Sequence, residues 1–135
     1  MTQTPQPGPV TKLSWKLLED VTYILKWNDT YNLNINYPIF GDKVKKVRGK
    51  TCSISGYMIP LDVQSGLYAV SRYNYASCFF CGQSGPESVV SIKFKGKPKR
   101  YRTDQFVTIQ GLFQLNGTNL DEFMYILAQA EEVAK

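Results

Sequence analysis

Two long segments alternate apolar and polar residues and carry a glycine near the centre. The first covers residues 51–61 around Gly56, and the second covers residues 105–115 around Gly111. Alternation predicts a strand with one buried face, and a glycine inside a strand marks a sharp bend or a close approach of another backbone. Pairing of the two segments through their bends therefore predicts a strongly coiled sheet that closes on itself.

Three further segments are predicted to be strands, at residues 67–73, 88–94 and 122–131. The last has a helical alternative, because leucine, alanine, glutamine and glutamate favour helices. Asn116-Gly117, between it and the preceding strand, is a strong hairpin signal and favours a strand. Five strands without alternating helices predict a mainly β fold, a five-stranded barrel like the oligonucleotide/oligosaccharide-binding (OB) architecture.

The N-terminal part of the chain differs from the predicted barrel. Residues 1–12 are rich in proline and polar side chains and are predicted to be a flexible leader. Residues 13–135 then form a single OB-like β domain, in which residues 13–42 are an arm that packs on the barrel. Ser14 is a suitable helix N-cap, and apolar residues follow at steps of three and four, which predicts a helical or irregular arm. Residues 21–24 fit a strand equally well.

Composition excludes several classes of protein. A chain of 135 residues with 43% hydrophobic residues predicts one globular domain. No run approaches the ~20 apolar residues of a membrane-spanning helix, and the N-terminus lacks the basic and apolar regions of a secretory signal. The net charge is +5, with cationic clusters at 43–50 and 93–102. Because a solvated charged rim explains such clusters, nucleic acid is not a favoured partner.

The sequence contains no histidine. This removes the commonest general base, the Cys/His nucleophile pair and every zinc site that uses histidine. No arrangement of serine, aspartate or lysine makes a case for a nucleophile, and no phosphate-binding glycine loop is present. The chain is therefore predicted not to be an enzyme.

Cys78 and Cys81 are separated by Phe79 and Phe80 and are followed by a glycine-rich turn. Two cysteines at this spacing can close a disulfide, bind a soft metal or act as a redox pair. A thioredoxin-like redox pair lies at the start of a helix, whereas this pair precedes a predicted strand. The residues leave all three alternatives open.

Zinc is the cofactor that the cysteine pair suggests. A closed zinc site needs four ligands, and Cys78 and Cys81 supply two. The others would have to be Cys52 and a carboxylate such as Glu87 or Asp104, or come from a second chain. Cys52 lies on the buried face of its predicted strand, which favours an inert core thiol.

Aromatic residues near the cysteine loop are the candidate binding surface. The predicted surface comprises Tyr57, Tyr73, Tyr75, Phe79, Phe80 and Glu87, with Tyr68 in the same groove. Glu87 is interpreted first as a cap for the backbone amides of the glycine-rich turn. A carboxylate aimed at the cysteines is the alternative.

Several blocks of the sequence resemble a family of exported bacterial proteins that is catalogued only as a domain of unknown function, number thirty-two ninety-nine. The blocks are Cys78-Phe79-Phe80-Cys81-Gly82, Gly85-Pro86-Glu87-Ser88, Ile54-Ser55-Gly56-Tyr57-Met58-Ile59-Pro60-Leu61 and Tyr37-Pro38-x-Phe40. The resemblance implies a periplasmic or secreted location, with a lipid anchor or signal removed before the present N-terminus. It also links some members with transport and metal supply, and it implies no chemistry.

The favoured hypothesis is a non-catalytic, extracytoplasmic binding or accessory module that has a protein partner in the bacterial envelope. The alternatives are a zinc-handling protein or a thiol–disulfide redox protein, both acting through Cys78 and Cys81. An OB-like barrel can also bind single-stranded nucleic acid, but an exported protein would seldom meet that ligand.

Overall fold

The computed structural model describes residues 9–77 and 84–133. Eight strands and one short α-helix lie within these ranges. They are β1 (Thr11–Lys12), β2 (Val21–Asn28), β3 (Leu33–Phe40), α1 (Asp42–Val47), β4 (Thr51–Asp62), β5 (Leu67–Ser71), β6 (Val89–Phe94), β7 (Phe106–Leu115) and β8 (Tyr125–Glu132). Short 3₁₀ turns occur at Leu17–Glu19, Tyr75–Ser77 and Pro86–Ser88.

Five of the strands form a closed barrel in the order β4-β5-β6-β8-β7, and β7 pairs with β4 to complete the circle. The β6–β8 pair is parallel, whereas the other neighbouring strands of the barrel are antiparallel. The mainly β fold and the five-stranded OB-like barrel predicted from the sequence are confirmed. The last strand is β rather than helical, as the hairpin signal indicated.

The two central glycines lie where other backbones come too close for a side chain. A β-carbon on Gly56 would be 2.5 Å from the carbonyl oxygen of Ser71, and one on Gly111 would be 2.6 Å from the carbonyl oxygen of Ala128. The two glycines lie on the paired strands β4 and β7, opposite Val107 and Cys52 respectively. They therefore allow the close approach that a small closed barrel requires.

The barrel interior is filled by side chains from every strand of the wall. The largest buried residues of this core are Tyr68, Tyr125, Phe113, Ile54, Met58, Ile92, Ile109 and Leu127. Leu18 from the N-terminal 3₁₀ turn is also fully buried, and the Tyr125 hydroxyl donates a 2.8 Å hydrogen bond to its carbonyl oxygen. The N-terminal segment is thus part of the core.

One part of the barrel wall is buried on both faces. Four apolar residues are buried outside the central core: Ile59, Ala69, Val89 and Ile126. They alternate along their strands with residues of the core, so they lie on the outer face of the wall. The connection between β5 and β6, which contains the cysteine loop, begins and ends beside this covered face.

The arm is a β-hairpin rather than a helical or irregular segment, and the strand alternative for residues 21–24 is the one observed. β2 and β3 pair antiparallel along their whole length, from Val21 opposite Phe40 to Asn28 opposite Leu33. The turn between them includes Asn32, which has a φ of 54°, a left-handed conformation that asparagine tolerates. β-Branched and aromatic residues in the arm favour strand over helix, and only the 3₁₀ turn keeps a helical character.

The N-terminal leader was predicted to extend to residue 12. Thr11 and Lys12 instead form β1, which runs parallel to β4 opposite Cys52 and Ser53. Within the part of the chain that the structure describes, no helix is long and apolar enough to cross a membrane.

We expect Gly56→Ala to lower the free energy of unfolding by about 1–3 kcal/mol, because the added methyl group would overlap the Ser71 carbonyl and the Val70 side chain. Gly96→Ala is the matched control, since a β-carbon there meets nothing within 4 Å. Urea unfolding of both variants checks the prediction. Equal stability of the two variants would show that the bend in β4 has room for a side chain.

Candidate binding surface at the base of the cysteine loop

Three contacts fix the two ends of the cysteine loop to the rest of the protein. On the N-terminal side, Arg72 forms a 2.7 Å ion pair with Glu19, and the backbone amide of Tyr75 donates a 2.8 Å hydrogen bond to Asp104. On the C-terminal side, the Tyr23 hydroxyl donates a 2.7 Å hydrogen bond to Glu87. The loop base is therefore attached to the N-terminal 3₁₀ turn, the hairpin and the β6–β7 connection.

Glu87 follows Pro86 in the 3₁₀ turn that leads into β6. Its carboxylate lies over Gly85, where a β-carbon would be only 2.5 Å from Oε2. It accepts the hydrogen bond of Tyr23, and its predicted role as a cap for the glycine-rich turn stays a prediction, because part of that turn lies outside the described residues. Partial burial, together with the neighbouring carboxylate, raises the pKa of the Tyr23 hydroxyl, which therefore stays protonated.

Cys52 is fully buried in the core. Its Sγ atom lies 3.8 Å from the carbonyl oxygen of Val47, and burial raises the pKa of the thiol to about 11. This environment fits the inert core thiol predicted from the sequence.

Cys78, Phe79, Phe80 and Cys81 lie outside the described residues, so the disulfide, zinc and redox alternatives stay predictions. Among residues 9–77 and 84–133, no group of three or more Cys, Asp and Glu side chains is close enough to hold a metal ion.

Aromatic residues from three parts of the chain lie close to the loop base. Tyr57 on β4 is half-buried and packs edge-on against Phe106 on β7, with ring centroids 5.3 Å apart. Tyr75 is held by Asp104, two residues before Phe106. Tyr73 follows two residues after Ser71, which lies opposite Tyr57 in the sheet. We call these four residues the aromatic surface: Tyr57, Tyr73, Tyr75 and Phe106.

The structure changes the membership of the predicted surface. Tyr68 does not belong to it, because its ring is buried in the core and packs edge-on against Tyr101 and Phe94. Phe106 was missed, although it is 53% exposed. Alternation along its strand could have identified it, since Phe106 has the parity opposite to the core residue Val107.

Arginines flank the aromatic surface. The Arg72 guanidinium lies 5.4 Å from the centre of the Tyr73 ring, within cation–π range. Its hydrogen bond with Glu19 raises the pKa of Arg72 and lowers that of Glu19, so both stay charged. Arg102 is exposed two residues before Asp104. Of the two arginines near the rings, Arg72 is paired with Glu19.

Three of the six cationic residues between positions 93 and 102 are paired with carboxylates. Lys95 contacts Glu131 at 3.0 Å, Lys99 contacts Glu132 at 3.2 Å, and Lys93 contacts Glu122. These exposed pairs contribute little to stability, but they reduce the positive field that a nucleic-acid site would need. Their geometry fits the charged rim expected from the sequence.

A cleft of about 250 Å³ separates the hairpin from the β7–β8 connection. Asn116 organises that connection: its side-chain amide donates to the carbonyl oxygens of Asn119, Glu122 and Phe123, and its own oxygen accepts from two backbone amides. The cleft is lined mainly by apolar groups, including Pro38.

Comparison with models of protein families, with curated proteins and with solved structures found no match. The resemblance to an exported bacterial family therefore stays a prediction, and function is inferred from the geometry of the chain itself.

Tyr23→Phe should lower the free energy of unfolding by about 1 kcal/mol, because it removes one side-chain hydrogen bond and leaves the ring in place. Tyr31→Phe is the control, since that hydroxyl is on an exposed residue and forms no hydrogen bond with any residue that the structure describes. Chemical unfolding at neutral pH measures both variants. A Tyr23→Phe protein as stable as the control would mean that the bond to Glu87 does not tie the hairpin to the loop.

Cys52 should make the protein less stable in alkaline solution. The folded thiol has a pKa of about 11, whereas an unfolded cysteine ionises near pH ~8.5. Between these values the folded state binds more protons than the unfolded state, so stability is complete below pH ~8.5 and falls as the pH rises towards 11. Between pH 8 and 11, the free energy of unfolding should fall less steeply with pH for Cys52→Ala than for the wild type. If the free energy of unfolding falls equally steeply with pH in both proteins, the raised pKa of the Cys52 thiol is contradicted. A difference in stability that is the same at every pH does not affect this test.

Proposed function

We propose that the protein is a non-catalytic binding module and that the aromatic surface binds a protein partner in the bacterial envelope. The observation that carries the proposal is the exposure of aromatic rings on a fixed scaffold. Tyr73, Tyr75 and Phe106 are 39%, 49% and 53% exposed, next to the half-buried Tyr57. Aromatic residues are enriched at protein interfaces and supply much of their binding energy.

The contacts around these rings reduce the cost of binding. Tyr57 and Phe106 lie on the paired strands β4 and β7, and the backbone of Tyr75 is held by Asp104. Side chains and loops that are already ordered lose little entropy when a partner binds. The aromatic surface is therefore suited to recognition without a large rearrangement.

The charge of the flanking residues indicates the chemistry of the partner. Arg102 has no carboxylate within ion-pair distance among the described residues, and the chain has a net charge of +5. A partner with apolar side chains surrounded by acidic residues would match this surface, and the opposite charges would increase the association rate.

Two features support binding rather than catalysis. The chain lacks histidine, and none of the four rings or the two flanking arginines is a nucleophile or general base at neutral pH. The envelope location rests on the resemblance of the Cys78–Gly82 and Gly85–Ser88 blocks to the exported family. Zinc or redox chemistry remains an alternative that no contact of the described residues favours.

The test is retention of one defined partner from an envelope extract of the producing bacterium. The double variant Tyr73→Ala/Phe106→Ala should bind that partner at least about tenfold more weakly, since loss of interface anchors costs more than about 1 kcal/mol each. Leu61→Ala/Leu67→Ala is the control, because those residues are similarly exposed at 42% and 46%. It should bind as the wild type does.

Arg102→Glu separates electrostatic from apolar contributions. It should slow association with the same partner and make binding less sensitive to salt, while dissociation stays nearly unchanged. Binding that survives both the aromatic double variant and Arg102→Glu would remove the aromatic surface from consideration.

A further inference from the structure

The β2–β3 hairpin exposes many large apolar side chains to water. Seven are exposed: Tyr23, Ile24, Leu25, Trp27, Tyr31, Leu33 and Ile39. β2 and β3 form a two-stranded sheet of their own, separate from the sheet of the barrel. A two-stranded sheet is marginally stable by itself, and three or more strands with a hydrophobic face are needed for independent stability. The hairpin would thus be stabilised by further strands.

The hairpin is electrically neutral in a cationic protein. Lys26 and Asp29 are the two charged residues between positions 21 and 40, while the whole chain has a net charge of +5. This neutral and apolar surface can approach a second copy of the chain without strong repulsion between like charges.

The two outer edges of the hairpin differ. β3 contains Pro38, which has no N–H group and therefore blunts that edge against further pairing. β2 has eight residues with neither proline nor glycine, and its register with β3 contains no bulge. The edge of β2 is therefore the one that can accept another strand.

Pro38 also determines which groups of β2 point outward. A proline in a sheet directs its nitrogen away from the neighbouring strand, and Pro38 lies opposite Tyr23. Tyr23 therefore directs its N–H and C=O groups to the free edge of β2. Every second residue of the strand does the same, namely Val21, Leu25 and Trp27. Outside the β2–β3 ladder, the described residues form no hydrogen bond with these backbone groups.

We propose that two copies of the protein form a dimer by antiparallel pairing of their β2 strands, with the twofold axis at Ile24. In this register Val21 lies opposite Trp27 of the second copy, and Tyr23 lies opposite Leu25. All four outward-facing residues of each strand are then paired, which gives about eight main-chain hydrogen bonds. A shift by two residues in either direction would leave one outward-facing residue of each strand unpaired.

The same register also suits the side chains. Ile24 meets its own copy across the axis, and Thr22 faces Lys26, so no two like charges lie opposite each other. The two hairpins become one four-stranded sheet with Ile24, Ile35 and Ile39 of each copy on one face, which satisfies the requirement for at least three strands. Each copy contributes the same surface, as a twofold dimer requires.

The test uses the full chain and charge reversal at the axis. Ile24→Lys and Ile24→Glu each place two like charges directly opposite each other, whereas their mixture places opposite charges there. Ile39→Lys is the matched control: Ile39 is 49% exposed, compared with 43% for Ile24, and lies on the same face but on β3. Analytical ultracentrifugation from low-micromolar to sub-millimolar concentration gives the mass, and circular dichroism verifies that each variant is folded.

We expect the wild type and Ile39→Lys to reach twice the mass of the 15.4-kDa chain. Each Ile24 variant alone should stay monomeric, and an equimolar mixture of the two should recover the dimer. A wild type that remains monomeric at every concentration overturns the proposal, as does a dimer that both Ile24 variants retain. If the mixture of Ile24→Lys and Ile24→Glu stays monomeric, the register with Ile24 at the twofold axis is wrong. The aromatic-surface variants should not change the mass, so this result is independent of partner binding.

Discussion

Pairing between β4 and β7 is the interaction on which the rest of the structure depends. Seven consecutive residue pairs, from Thr51–Leu112 to Tyr57–Phe106, close the barrel. Closure removes the open edges that a five-stranded sheet would otherwise expose. It also brings Tyr57 and Phe106 together, although they are far apart in the sequence. The same ladder therefore creates the core and places two rings of the aromatic surface.

The sequence predicted the barrel because its signals are local and agree with one another. Gly56, Gly111 and the alternation around them indicated both the strands and their mutual pairing. The arm was harder to predict, because its apolar residues fit a helix and a strand equally well within residues 21–24. A strand with one buried face shows strict alternation of apolar and polar residues, which distinguishes it from a helix. Both faces of the hairpin are exposed, so its sequence lacks this alternation.

The candidate site was predicted only in part, since surface membership depends on register across strands. Tyr57 and Tyr68 are both tyrosines in strands, yet one points outward and the other fills the core. Side chains alternate between the two faces of a strand, so the face on which a tyrosine lies depends on its position relative to a bend or bulge. A shift of one residue moves it to the opposite face. The hydrogen bond between Tyr23 and Glu87 joins residues 64 positions apart, and no local pattern in the sequence indicates it.

The position of β8 has a consequence for how the chain acquires its structure during synthesis. β8 lies between β6 and β7, and Tyr125 at its start bonds to Leu18, 107 residues earlier. A ribosome-bound chain that has not yet released β8 lacks the β6–β8 and β7–β8 ladders and the hydrogen bond from Tyr125 to the N-terminal turn. Closure of the barrel therefore requires β8, whereas the β4–β5, β5–β6 and β4–β7 ladders need no residue beyond position 115.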